Sequence, residues 1–195
     1  MTPPRSYSDA GQAFPIYIIV VAGLLFLAFA YFAVGQAAVN RNGAQTAADA
    51  AALAAAQETR DQLAGLWVDD VLDPTKWDDI FHGVGAVYDG CDRAGLLAAQ
   101  NDAKLGPCDP GVLSYTVGVT TNKPVGDSVV PGTEGIHSEA SATAVIERLC
   151  SFELPGEDGV LPQLTCKDGK TWDLNPDDLT DLPEPQDLFD VHLAE

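Results

Sequence analysis

From Gln12 to Asn40 no residue carries a charge, and residues 13–35, AFPIYIIVVAGLLFLAFAYFAVG, are almost wholly apolar. As a helix rising about 1.5 Å per residue, that core spans about 34 Å, enough to cross a hydrocarbon layer of about 30 Å. A helix satisfies its own backbone polar groups, so lipid accepts it. Pro15 falls in the first turn, where its missing N–H costs little. Phe14 and Tyr17 at one end, with Tyr31 and Phe32 near the other, suit the two interfacial belts. The run therefore reads as one membrane span.

Two processed alternatives fit the same run. Ala28-Phe29-Ala30 has the form of a signal-peptidase site, but the apolar run is longer than a usual signal core of about 7–15 residues and continues past it. A prepilin-type cut after Gly11 would place Ile16 where such leaders carry Glu. Orientation is weakly encoded by charge, since Arg5 and the amino terminus face Asp9 on one flank and Arg41 stands on the other.

The rest of the chain supplies the orientation. Net charge is −19, from 29 acidic and 10 basic residues, and nearly all of it falls after residue 60. Such a surface repels phosphodiester backbones, which excludes nucleic acid as a partner. The four cysteines, Cys91, Cys108, Cys150 and Cys166, form no CxxC pair and lack zinc-finger spacing. An even number beside a membrane span reads as disulfides in an oxidising compartment. Three pairings are open; the sequential one, Cys91–Cys108 with Cys150–Cys166, is the simplest. These features predict a cell-membrane protein with a cytoplasmic N-terminus and an extracellular C-terminal domain.

Past the membrane the organisation is α+β: a long N-terminal transmembrane and Ala-rich helix, then a small extracytoplasmic domain of short helices and an antiparallel sheet. The expected divisions are 1–12 (cytoplasmic), 13–35 (span), 36–66 (Ala-rich helical extension), 67–174 (domain) and 175–195 (acidic tail). Alanine, the best helix former, fills more than half of 37–56, with Gly43 as the weak point. The small face formed by Ala44, Ala47, Ala48, Ala51 and Ala55 suits close packing of a partner's helix. Asp73-Pro74 reads as a helix start leading to Trp77–Phe81, and Asp92 as the cap of a helix over 93–106. Strands are expected over 111–121 and 141–154, with a loop at 122–137 between them. Residues 164–174 offer a hairpin turning at Asp168-Gly169 in a type I′ turn. From Asn175 onward the acidic, Pro-interrupted sequence reads as an extended or disordered tail.

The stretch DAGQAFPIYIIVVAGLLFLAFAYFAVGQAAVNRNGAQTAADAAALAAA resembles the N-terminus of TadE/TadG-like proteins of the tight-adherence (Flp) pilus system, with wording nearest actinobacterial TadG-related members. Gly11-Gln12 before the apolar helix, Arg41, Gln45 and the run Ala48 to Ala55 carry the likeness. The resemblance implies a membrane-held minor pilin-like or pilus-assembly component that performs no catalysis. Its partners would be membrane lipid and other pilus or envelope proteins, in a homo- or hetero-oligomer.

No catalytic constellation is evident. His82, His137 and His192 are scattered, and no nucleophile elbow, P-loop or HExxH occurs. No cofactor is expected. Trp67, Trp77 and Trp172 read as core anchors. Asp173, Asn175, Asp177, Asp181 and Glu184 occupy positions 1, 3, 5, 9 and 12 of a calcium loop, but position 6, which needs Gly, holds Asp178. That weak cation match supports an alternative function: a membrane-tethered or secreted extracytoplasmic binding module unconnected with pili.

Overall fold

The computed structural model describes residues 13–124, 135–154 and 160–194. Helix α1, Ala13–Asp69, runs unbroken for 57 residues, about 85 Å. Pro15 sits in its first turn and no other proline interrupts it. Gly43, the expected weak point, lies inside a continuous helix. Isolated glycines lower helix propensity by about 1 kcal/mol each, which the surrounding alanines offset.

At its far end α1 yields to a 3-10 turn, Pro74–Lys76, and a short helix α2, Trp77–Phe81. Asp73 precedes the turn with its side chain on the Thr75 hydroxyl, 2.5 Å away, rather than capping a backbone N–H. Helix α3, Gly90–Gln100, then lies against α1. Gly90 is required there: a Cβ would stand 2.5 Å from the Ala55 carbonyl oxygen of α1.

The helix expected over 93–106 ends early. Asn101 caps it, Asp102 takes φ +55, and the chain enters β1, Ala103–Gly111. Asp tolerates that left-handed conformation, which makes Asn101-Asp102 a helix stop. A two-residue turn leads into β2, Ser114–Thr121. Strand β3 is Glu139–Arg148, shorter than the expected 141–154 at its far end because Leu149 breaks it from β4, Cys150–Ser151. Next come β5, Leu164–Cys166, and β6, Thr171–Trp172. Their turn carries φ > 0 at Gly169 (+84) but not at Asp168, so it is not type I′. Gly169 N–H donates to the Cys166 carbonyl and Cys166 N–H to the Lys170 carbonyl, closing a three-residue loop with a bulge at glycine.

The largest correction concerns 175–195. Helix α4, Pro185–Leu188, and strand β7, Phe189–Leu193, are folded. β7 pairs antiparallel with β3, from Ala144↔Leu193 to Arg148↔Phe189. Leu188 and Phe189 are fully buried. The alternation of Phe189, Val191 and Leu193 supplies one apolar face, so acidity did not preclude folding.

The main sheet has the order β1-β2-β3-β7, entirely antiparallel, and β4-β5-β6 form a small second sheet. α1 lies across the main sheet, with α3 also against it. Tyr115, Val117, Val119, Ala144 and Ile146 join its alanine face in one core. At the end of this core far from the apolar run, Trp67, Trp77, Phe81, Phe152 and Phe189 stack with centroids 5.2–6.0 Å apart.

Candidate functional site: the helix between span and domain

Helix α1 changes character at one place. From Phe14 to Val39 its large apolar side chains are exposed: Phe14 is 74% exposed, Tyr31 83% and Val39 72%. None of its most apolar stretch is buried. By length and composition this part of α1 can cross a membrane once. From Ala44 the opposite holds, with Ala44, Ala47, Ala48, Ala51, Ala52, Ala55, Ala56, Thr59, Leu63 and Trp67 all at 0% exposure.

The five alanines expected to receive a partner's helix are therefore occupied. They are buried in the chain's own core, and the helix that α1 approaches closely is α3. The reason was in the pattern. The stripe Ala44, Ala48, Ala51, Ala55, Thr59, Leu63, Trp67 keeps a spacing of three or four residues and ends on large core side chains. It is the inner face of an amphipathic core helix.

Asn40 lies one turn before Ala44 on that stripe. Its Nδ2 donates to the carbonyls of Lys123 and Pro124, both at 3.1 Å. The single proton of the Thr121 hydroxyl is shared between the Lys123 carbonyl, at 2.9 Å, and Asn40 Oδ1, at 3.2 Å. Ser138 N–H returns to Thr121 Oγ1 at 3.1 Å, while His137 Nδ1 donates to the Thr121 carbonyl at 2.7 Å. This knot fastens the end of β2 to α1 where the apolar run stops. A second tie lies deeper: the hydroxyls of Thr59 and Tyr115 are 2.8 Å apart, and Gly90 N–H donates to Tyr115 Oη at 3.3 Å.

The cysteines form two bonds, Cys91–Cys108 and Cys150–Cys166. The first joins α3's first turn to β1. The second links directly paired residues of β4 and β5.

Of the calcium-loop residues, Asp173, Asn175 and Asp181 line one open cavity of about 290 Å³, while Asp177 and Glu184 do not. Asp173 accepts from the Gln163 side-chain amide, and Asn175 Oδ1 accepts from Asp177 N–H at 3.0 Å. Glu184 closes a capping box with Asp187 at the start of α4, and Asp181 is exposed. Among the described residues no three His, Cys, Asp or Glu side chains converge on a metal-sized site. His82, His137 and His192 each bond a different oxygen: the Asp78 carbonyl, the Thr121 carbonyl and the Asp190 carboxylate. Trp67 and Trp77 are core residues; Trp172 is half-buried, with Lys170 Nζ 4.1 Å from its ring.

Exposed carboxylates are locally held in the charged form. The Lys167 ammonium bonded to Glu147, and the Thr75 and Thr180 hydroxyls bonded to Asp73 and Asp178, hold these acids below their ordinary values. The hydrogen bond from Lys170 Nζ, at 3.0 Å, does the same for Asp187. Asp70 raises Lys76 in turn.

One span-length apolar helix, continued without a break into the core of a disulfide-bonded α+β domain, defines the class of protein. Residues 11–58 match the family described as Tad, putative Flp pilus-assembly TadE/G-like. That segment is similar to the family; it takes in the apolar run, Asn40 and the alanines of the stripe, while the rest of the knot lies outside it. No curated protein and no solved structure matches the chain.

Proposed function

We propose that the chain is a membrane-anchored structural component of a tight-adherence-type pilus assembly, with its N-terminus in the cytoplasm and its disulfide-bonded domain outside the cell. The observation that carries this reading is the continuity of α1 through the TadE/G-like segment. A single rod fixes the domain's height and facing relative to the membrane, which is what a scaffold needs and a flexible tether does not supply. Partners are other pilus or envelope proteins. They meet the exposed surface of the domain or the apolar half of α1, because the alanine face is already filled. The reading assigns no catalysis.

The test is deletion of the gene in its native cell, followed by electron microscopy of surface pili and affinity recovery of the tagged chain from crosslinked membranes. Loss of pili together with recovery of pilus-assembly proteins supports the proposal. Unchanged pili and no such recovery overturn it.

A further inference from the structure

The Asn40 knot closes one end of a groove of about 590 Å³. Tyr31, Phe32, Gly35 and Val39 of α1 form one wall, and Lys123 with Pro124 the other. The first wall is apolar and continuous with the exposed face that lipid would cover. The second carries an ammonium, 77% exposed.

The position of the groove along the rod narrows its occupant. If residues 14–34 fill a hydrocarbon layer of about 30 Å, Asn40 stands about 9 Å beyond Val34. The headgroup region is about 5–7 Å thick on each side. A groove reaching from Asn40 down to Tyr31 therefore crosses that region and ends among acyl chains. Charge agrees. The domain is strongly acidic, but the basic side chain that lines the groove is Lys123; Lys104 lies further along, in register with Glu139 across Thr120. Asp102 is the acid beside Lys123, 3.2 Å from its Nζ. Both side chains of that pair are about three-quarters exposed, so the bond is weak and exchanges readily for a phosphate.

We infer that the base of the domain is a phospholipid-binding site: an anionic lipid lays its chains along Tyr31, Phe32 and Val39 and sets its phosphate against Lys123. The inference rests on the reading of α1 as a membrane span. It gives the Asn40 knot a purpose: it holds the loop about 2–4 Å outside the headgroup region, a gap that a lysine side chain can span. A basic side chain near an anionic surface contributes about fivefold in local association.

The experiment uses the full chain in nanodiscs doped with phosphatidylglycerol carrying a headgroup diazirine, with adducts mapped by mass spectrometry. Parallel discs carry an acyl-chain diazirine, and others a headgroup-labelled phosphatidylcholine. The expected result is headgroup adducts on residues 121–124 as well as on 36–41. Lys123→Gln should lower the 121–124 adducts about fivefold while leaving acyl-chain adducts on 14–34 unchanged. Adducts confined to α1, or equal labelling of 121–124 by the choline lipid, overturn the site and leave the span intact. Absence of acyl-chain adducts on 14–34 overturns the span itself, and the site with it.

Discussion

Thr59 and Tyr115 show how one buried hydroxyl pair ties α1 to the sheet. Tyr115 Oη has two neighbours, the Thr59 hydroxyl and Gly90 N–H, so each partner's removal has a different consequence. Thr59→Val keeps the shape and removes one partner, for about 1–3 kcal/mol. Tyr115→Phe also orphans Gly90 N–H and should cost at least as much. Coupling of about 1 kcal/mol in the double-mutant cycle, measured by denaturant melts in detergent, marks the bond; additive costs would show that it does not form. Gly90→Ala belongs to the same neighbourhood. Its Cβ meets backbone rather than a flexible side chain, so it should destabilise by about 1–3 kcal/mol. Asp187 provides the pH-dependent case. Its folded carboxyl lies below the ordinary 3.8 because Lys170 and the Glu184 N–H bond the charged form. Its contribution is present above the unfolded value and is lost as pH falls through the lower, folded value. Asp187→Asn should flatten the decline in melting temperature below about pH 4. An unchanged slope would show that Asp187 contributes none of it.

Among the elements, α4 and β7 show where acidity and proline content mislead. The span and the strand at β2 announce themselves through long apolar runs or strict alternation, whereas Phe189, Val191 and Leu193 offer only three apolar positions in an acidic context. What specifies β7 is its partner β3, a long-range match that no local window contains. The same holds for β1, whose Pro107 and Pro110 fit only because it is an edge strand with a bulge between Leu105 and Cys108. The Asn40 knot was equally unreadable, since its acceptors are main-chain carbonyls more than eighty residues away. Phe189 is fully buried in β7, so Phe189→Ala should cost about 3–5 kcal/mol. A disordered tail predicts no change, so a denaturant melt of the full chain separates the two readings.

At the scale of the whole molecule, the decisive property is that in-membrane face and domain share one helix. Inserting alanines after Gln36 leaves Asn40 with the domain and changes only the relation between domain and span. Each inserted residue turns the domain by about 100° and lifts it by about 1.5 Å. Two residues place the domain on nearly the opposite side, while four or seven return it to within about 40° and raise it by about 6 or 10 Å. If partners read both ends of the rod at once, pilus assembly in cells should fall sharply with two residues and recover in part with four. A steady decline with length would mean that height alone matters. No dependence at all would mean that span and domain act separately, and the continuous helix would then be a consequence of alanine's propensity rather than the device that positions the domain.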